Sequence, residues 1–236
     1  FVEKPSWGQV VSDVVNTGIY VMDPRVLDLV PAGEKVDWSA DVFPALMAAG
    51  EPIFGCVMDA YWEDVGTIGN YLSVQSDVLN GRVRAQVPGF EVAPQVWFGH
   101  GALVDPQATL VGPCFVGANA RVEPECVVGP GTVLGNNVVL RRGAEVVESM
   151  LGASVYVDAG AQITGALVGR ASEVRARGRV DSGAVIADEC LLGEEVHVRS
   201  GVHIYPAKAV ESGAVVSDHV IWENQAQRSL FGPRGV

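Results

Sequence analysis

The chain has 236 residues, of which 48% are hydrophobic and 19% are charged, and this composition excludes a disordered chain. Sixteen Lys and Arg residues against 28 Asp and Glu residues give a net charge of −12, so we expect neither nucleic acid nor an anionic membrane as a partner. No apolar run approaches the ~20 residues that a membrane-spanning helix needs. The sequence opens on Phe1 without an initiator Met, and we therefore expect a piece of a longer protein.

Residues 1–81 predict a first domain of mixed α/β structure. Segments 14–22 and 52–58 are rich in β-branched, aromatic and other apolar residues, which is typical of strands. Two or three strands form too small a sheet for the helices that accompany them, so this domain is predicted to be incomplete.

Three helices are predicted in the same domain from capping signals. A short one over 24–30 follows an Asp-Pro pair, and a second begins after Ser39 as N-cap and ends near Gly50. A third begins after Thr67 and ends at Gly81, with apolar residues at helical spacing between them.

The remainder of the chain follows a different pattern. Residues 82–103, rich in Pro and Gly breakers, predict a linker that leads into a repeat over 104–221, and 222–236 form a tail. Aliphatic residues recur at every sixth position of the repeat, except for three steps of five: Val104, Leu110, Val116, Val122, Val128, Leu134, Leu140, Val146, Leu151, Val157, Ile163, Val168, Val174, Val180, Ile186, Leu192, Val198, Ile204, Val210, Val216 and Ile221. A short period sustained over about 20 units indicates a solenoid.

A second inward position follows each aliphatic residue by four, and it usually holds a small side chain. Six residues fit one short strand and one corner, whereas a β-sandwich, the alternative, would show longer strands and irregular loops. Cys114, Cys126 and Cys190 fall on this small position, so we expect buried packing residues rather than catalytic thiols. Four scattered cysteines without metal-ligand spacing suit a reducing cytoplasm.

Three short motifs in residues 1–81 could carry chemistry. Glu3 and Lys4 could present a carboxylate to sugar hydroxyls and an ammonium to a phosphate, although such pairs are commonly solvated surface. Asn16 and Gly18 could line a polyol site, or Gly18 could mark a bulge. Asp64 lies beside a Gly turn and a helix start, where it could bind Mg²⁺ or act as a capping or turn carboxylate.

The order of these motifs resembles one known family. Glu-Lys-Pro at 3–5, Asn-Thr-Gly at 16–18 and Trp-Glu-Asp-Val-Gly-Thr at 62–67 resemble the C-terminal part of the catalytic domain of nucleotide-sugar pyrophosphorylases, most of all bacterial mannose-1-phosphate guanylyltransferases. The repeat resembles the hexapeptide-repeat domain appended to that family. The resemblance implies an α/β fragment, part of a Rossmann-like nucleotidyltransferase domain, followed by a left-handed parallel β-helix of about 6.5 coils.

The resemblance also implies roles for the motif residues. Enzymes of this family convert a nucleoside triphosphate and a sugar 1-phosphate into an NDP-sugar and pyrophosphate. In the most similar members the NDP-sugar is GDP-mannose. Glu3 would bind sugar hydroxyls, Lys4 the sugar phosphate, and Asn16 and Gly18 would line the sugar pocket. Asp64 would be one of two carboxylates that hold Mg²⁺, and Lys4 and Asp64 would be the catalytic residues.

The sequence departs from the family in one respect. A Gly-rich nucleotide loop belongs to the start of the family's catalytic domain, and none occurs in these 236 residues. We therefore expect the chain alone to be inactive. The tail resembles the join to a phosphomannomutase-like domain in fused members, and apolar residues at both ends of the repeat, together with the resemblance, predict a homo-oligomer formed through the β-helix.

Two alternatives remain at this stage. A hexapeptide acyltransferase, or a metal-dependent hydratase of the same fold, would use histidines between prisms, but His197 and His203 should lie on different faces and all four histidines are expected to be exposed. A non-catalytic assembly or regulatory module is the other alternative.

Overall fold

The computed structural model of the protein describes residues 14–221, which divide into two compact units between Trp62 and Glu63. Within this part of the chain, no helix has the length and apolar character needed to cross a membrane.

The first unit contains three short helical segments. A 3₁₀-helix spans Pro24–Leu29, and a single π-helical turn at Trp38–Val42 continues into α1 (Phe43–Ala48). The predicted N-cap of the second helix, Ser39, is wrong, because the carboxylate of Asp37 accepts the hydrogen bond from Ser39 N at 2.8 Å. The cap therefore lies two residues earlier than the sequence pattern suggested.

The two strands predicted in this unit are also wrong. Segments 14–22 and 52–58 contain no strand in the structure. A strand exists only where a second strand accepts and donates its backbone hydrogen bonds, and the part of the chain described here supplies no such partner. Their apolar side chains consequently face solvent, with Val21 102%, Phe54 88% and Val57 79% exposed.

The second unit begins with the helix that the sequence predicted. Helix α2 spans Ile68–Leu79, and Thr67 caps it by accepting a hydrogen bond from Asn70 N at 3.1 Å. The helix ends at Leu79 with Asn80 as its C-cap, and Gly81 follows with a φ of +71°, a left-handed conformation that favours glycine.

After α2 the described chain consists of short strands separated by turns. In chain order they are β1 (Phe90–Ala93), β2 (Val96–Phe98), β3 (Leu103–Val104), β4 (Thr109–Leu110), β5 (Cys114–Val116), β6 (Arg121–Val122), β7 (Val127–Val128), β8 (Thr132–Leu134), β9 (Val139–Leu140), β10 (Glu145–Val147), β11 (Met150–Leu151), β12 (Tyr156–Val157), β13 (Gln162–Thr164), β14 (Leu167–Val168), β15 (Glu173–Val174), β16 (Arg179–Val180), β17 (Val185–Ile186), β18 (Leu191–Leu192), β19 (His197–Val198), β20 (His203–Ile204), β21 (Ala209–Val210) and β22 (Val215–Val216).

These strands form three sheets, which are the faces of a triangular prism. Face 1 contains β1, β2, β5, β8, β11, β14, β17 and β20, with β1 antiparallel to β2 and the others parallel. Face 2 runs from β3 to β21 and face 3 from β4 to β22, each in steps of three strands and each with seven strands. The predicted parallel β-helix is therefore confirmed. Strand β2 pairs with β5, so the ladder starts before Val104.

The repeating aliphatic residues fill the interior of the prism, as the six-residue period predicted. In the central coils they are fully buried, with Val128, Leu140 and Ile163 0% exposed. At the two ends of the repeat the equivalent residues are only partly buried: Val104, Leu110, Val210 and Val216.

The predicted last position of the repeat is wrong by one residue. Val220, rather than Ile221, forms the bridge to Ile204, and Ile221 is 44% exposed. The final step from Val216 therefore covers four residues.

Polar side chains at the small inward position satisfy carbonyl groups of the next coil. Thr132 Oγ1 donates to Val146 O at 3.2 Å, and Ser172 Oγ donates to Ala187 O at 2.9 Å while accepting from Cys190 N. All buried side-chain nitrogens and oxygens in the described residues have hydrogen-bond partners. The interior thus accepts hydroxyl groups without the cost of an unpaired buried polar atom.

The cysteines of the repeat behave as packing residues, as predicted. Cys114, Cys126 and Cys190 are buried and unbridged. Burial raises the pKa of the Cys114 thiol to about 11, which keeps it protonated at neutral pH. The Cys126 thiol donates to Arg141 O at 3.0 Å in the following coil.

One corner of the prism is closed to side chains. A glycine follows five of the face 1 strands: Gly99, Gly117, Gly135, Gly152 and Gly169. A Cβ atom on Gly117 would lie 2.5 Å from the carbonyl carbon of Gly135, and one on Gly135 would lie 2.7 Å from that of Gly152. Successive coils therefore contact each other here through bare backbone.

Two adjacent leucines on β18 test the register of the repeat. Leu192 is 1% exposed, whereas Leu191 points outward beside Glu173 and is 40% exposed. Leu192→Lys should destabilise the prism by at least about 3 kcal/mol, because it removes a buried side chain and introduces a buried unpaired ammonium. Leu191→Lys is the matched control and should change stability by less than about 0.5 kcal/mol. Thermal melts followed by circular dichroism measure both; equal melting temperatures would contradict the register.

Candidate active site

The loop before α2 carries Asp64, the residue for which the resemblance implies a metal-binding role. The loop is exposed, and it joins the helix at the N-cap Thr67. Thr67 Oγ1 donates to Asn70 Oδ1 at 2.9 Å in addition to accepting from Asn70 N. Two hydrogen bonds therefore join the N-cap to the first turn of the helix.

Asn70 connects this first helical turn back to the loop. Its Nδ2 donates to the backbone oxygen of Asp64 at 2.7 Å and to Oε1 of Glu63 at 3.1 Å. Sequence reasoning missed Asn70. The available signal was its place three residues after the Thr67 cap, where the side chain of a capping box reaches back to the N-cap.

The carboxylate of Asp64 is available for a ligand. Its side chain is exposed and makes no hydrogen bond or ion pair with the residues from 14 to 221. A carboxylate with free oxygens at an exposed loop is a suitable ligand for Mg²⁺, which commonly binds proteins through one or two carboxylates and otherwise through substrate phosphates and water. The described residues contain no cluster of three or more His, Cys, Asp or Glu side chains that could hold a metal alone.

Asn16 and Gly18, the residues for which the resemblance implies sugar binding, belong to the first unit and form a tight turn. Gly18 N donates to Asn16 Oδ1 at 3.0 Å, and Asn16 Nδ2 donates to the Tyr20 hydroxyl at 2.7 Å. Gly18 has a φ of +72°, and no atom lies within 4 Å of a Cβ built there. The backbone conformation of Gly18 thus favours glycine, and the alternative of a bulge in a strand is wrong, because this segment contains no strand.

An aromatic cluster supports this turn. The Tyr20 ring meets Phe43 edge-on, with ring centroids 5.1 Å apart, and it also contacts Trp38 at 6.1 Å. Tyr20 therefore links the Asn16 amide to helix α1. The other residues of the expected sugar-phosphate site, Glu3 and Lys4, lie outside the described residues.

A groove of about 400 Å³ lies between α2 and the prism. The helix contributes Leu72, Gln75, Ser76 and Asn80, and the prism contributes Pro113, Pro130, Gly131, Val133, Glu148, Ser149 and Met150. Helix α2 therefore follows the Asp64 loop at its N-terminus, and the C-terminal half of α2 lines a groove on the β-helix.

The histidines of the repeat do not form a shared site. His197 is on face 3 and His203 on face 1, as expected. The prediction that all four histidines are exposed is wrong for these two, which are half-buried and lie beside Arg179 and Val185 of the preceding coil. His203 lies against His219, with ring centroids 4.8 Å apart, and its backbone N–H donates to His219 Nδ1 at 3.0 Å.

His197 instead belongs to a hydrogen-bonded group on face 3. Its Nε2 lies 2.8 Å from Asp181 Oδ2, and Arg179 Nε donates to Asp181 Oδ1 at 2.8 Å. Partial burial alone would raise the pKa of Asp181, but the hydrogen bonds from Arg179 and His197 outweigh it and lower that pKa. The group is a hydrogen-bonded network on the outer surface of face 3.

Comparison with known proteins bears on both parts of the chain. Residues 1–81 match the family model described as nucleotidyl transferase, and residues 110–221 match the one described as the GMPPB C-terminal domain. The two matches fall on either side of the segment that joins α2 to the first coils.

Three curated relatives show how much of a related protein the chain represents. It is 31% identical to a UTP–glucose-1-phosphate uridylyltransferase of Synechocystis over 64% of this chain and 44% of that protein. It is 34% identical to a mannose-1-phosphate guanylyltransferase of Mycobacterium tuberculosis over 54% of this chain and 34% of that protein. Mannose-1-phosphate guanylyltransferase 1 of Arabidopsis thaliana is 24% identical over 94% of this chain and 56% of that protein.

The chain thus spans about half the length of these relatives, or less. Both family matches agree with the order of the parts seen in the structure, a short helical unit and α2 followed by the β-helix. The chain therefore joins a segment that matches the nucleotidyl transferase family model to a segment that matches the model of the GMPPB C-terminal domain.

Proposed function

We propose that this chain forms part of an enzyme that makes an NDP-sugar and pyrophosphate from a nucleoside triphosphate and a sugar 1-phosphate. GDP-mannose is the product we favour, since two of the three relatives above carry the name mannose-1-phosphate guanylyltransferase. The observation that carries the proposal is the exposed, unpaired carboxylate of Asp64 in a loop fixed to a helix N-terminus.

In the proposed reaction a phosphate oxygen of the sugar 1-phosphate attacks the α-phosphorus of the triphosphate, and pyrophosphate leaves. A bound Mg²⁺ would neutralise charge on the phosphates. Asp64 holds one exposed carboxylate in place for that ion, and Lys4 binds the sugar phosphate. Glu3, Asn16 and Gly18 bind the sugar. Catalysis then consists mainly of positioning and charge stabilisation.

The geometry at Asn16 limits how this residue can act. Asn16 Oδ1 accepts from Gly18 N at 3.0 Å and from the Tyr20 hydroxyl at 3.1 Å, and one amide hydrogen is donated to Tyr20. Only the second amide hydrogen remains unused. Asn16 can therefore offer one donor to a sugar hydroxyl while its orientation is held by the turn.

Asp64→Asn tests the metal role in an enzyme with a complete nucleotidyl transferase domain. It keeps the size of the side chain but removes the charge that binds the cation, so kcat at saturating Mg²⁺ should fall by about 10²–10³-fold. Asp59→Asn, at an exposed carboxylate five residues earlier, is the control and should leave kcat unchanged. Wild-type kcat in Asp64→Asn would contradict the proposed role.

We further propose that the 236-residue chain does not catalyse the reaction by itself, because it contains no Gly-rich loop to cradle the triphosphate. Pyrophosphate release from GTP and mannose 1-phosphate, measured with Mg²⁺ present, should stay at the background rate. Turnover in the ordinary enzymatic range of ~1–10³ s⁻¹ would refute this.

We also propose that the chain is cytoplasmic. Its four cysteines are all unbridged, as suits a reducing compartment.

We propose, in addition, that the chain self-associates through an end of the prism. At the first coil, the inward residues Val104 and Leu110 are only partly buried, and Phe90 and Leu103 nearby are 66% and 60% exposed. A second copy at this end would bury that apolar surface and cover the open strand edges.

Light scattering coupled to size exclusion tests the assembly. At micromolar concentration the wild-type chain should have about twice its mass of 24.9 kDa, since a closed dimer is the commonest arrangement. Leu103→Lys should shift the population toward monomer, and Leu191→Lys, on the same face in a later coil, should not. A wild-type monomer whose mass is unchanged on concentration would rule out the assembly.

A further inference from the structure

The side chain of Asn70 uses both of its N–H donors and its carbonyl oxygen on residues 63–67, the segment that contains Asp64. Nδ2 donates to the Asp64 backbone oxygen at 2.7 Å and to Glu63 Oε1 at 3.1 Å, and Oδ1 accepts from Thr67 Oγ1 at 2.9 Å. An asparagine amide has two N–H donors and one carbonyl acceptor, so the loop satisfies both donors and uses the acceptor.

We propose that Asn70 is a positioning residue, which fixes residues 63–66 so that the Asp64 carboxylate stays exposed and ready to bind a divalent cation. The proposal rests on the metal role of Asp64 given above. Asn70 does not contact the cation or the substrate; it acts through the backbone of Asp64 and through the side chain of Glu63.

The bond to Glu63 matters because two neighbouring carboxylates could otherwise compete for one cation. Adjacent side chains on an extended segment leave the backbone in opposite directions. Asn70 then fixes the Glu63 carboxylate at the first turn of α2. Asp64 remains as the carboxylate of the pair that is free for a ligand.

The arrangement differs from an ordinary helix cap. In a capping box the side chain at the third helical residue reaches back to the backbone N–H of the N-cap. Asn70 occupies that position, but its amide passes the cap and bonds to a carbonyl six residues earlier. A residue needed only for the helix would not require this donor.

Asn70→Asp separates the two roles. Aspartate has nearly the same shape and can still pair with Thr67, and a negative charge in the first helical turn is favourable. It lacks the N–H donors for Asp64 O and Glu63. If Asn70 serves only the helix, this substitution should be neutral or stabilising; if Asn70 fixes the loop, the loop should open more readily while α2 stays protected.

Hydrogen exchange of the full chain, followed by mass spectrometry, measures this. In Asn70→Asp, exchange of residues 63–66 should be about tenfold faster than in wild type, since the loop loses two hydrogen bonds. Exchange in the later turns of α2 should not change. Asn80→Asp is the matched control, because Asn80 lies at the other end of the helix and its Nδ2 bonds only within it. Wild-type exchange at 63–66 in Asn70→Asp would overturn the proposal.

Mn²⁺ binding, followed by the electron paramagnetic resonance of the free ion, gives a second readout. Asp64→Asn should abolish binding at this site, and Asn70→Ala, which adds no charge, should weaken it several-fold. Unchanged Mn²⁺ affinity in Asn70→Ala, where Asp64→Asn abolishes binding, would overturn the positioning role. If Asp64→Asn binds Mn²⁺ as tightly as the wild type does, the metal role of Asp64 is overturned instead. The hydrogen-exchange result would still decide whether Asn70 fixes the loop.

Discussion

The parallel backbone ladder between successive coils is the constraint on which the prism depends. Each short strand gives its hydrogen bonds to the coils before and after it, and a coil alone could neither pair its backbone nor bury its aliphatic side chains. The spacing of coils, about 4.8 Å between paired strands, leaves no room for a Cβ atom at Gly117 and Gly135. Interior hydroxyl and thiol groups are tolerated because the carbonyls of the next coil accept their hydrogen bonds.

Helix α2 links the candidate active site to this ladder. Its N-terminus is tied to Asp64 through Asn70, and its C-terminal half lines a groove with residues of the prism, among them Val133 and Met150. The loop that carries the carboxylate is therefore attached to a rigid scaffold on one side. The charged residues on the outside of the prism contribute little to this rigidity, because exposed ion pairs such as Arg141 with Glu123 are weak.

The sequence predicted those parts of the fold in which structure follows from local pattern. The six-residue period identified the inward residues of the prism, and Thr67 identified the start of α2, because each signal depends on neighbours in the chain. Segments 14–22 and 52–58 were mistaken for strands, because strand formation requires a partner that composition does not reveal. At the site, the motif pointed to Asp64, but the contact of Asn70 with a residue six positions earlier becomes visible only when the loop folds back on the helix.

The incomplete burial of the end coils has a consequence for how the molecule opens. A prism whose coils contact only their neighbours can lose structure one coil at a time, starting where the fewest contacts must be broken. Val104 and Val216 mark those starting points, and the fully buried middle around Leu140 should be the last part to unfold. Folding can run in the reverse direction as a zipper, since partners lie only 17 or 18 residues apart along the chain. Local stability is therefore graded along the axis of the prism, highest at its centre and lowest at its two ends.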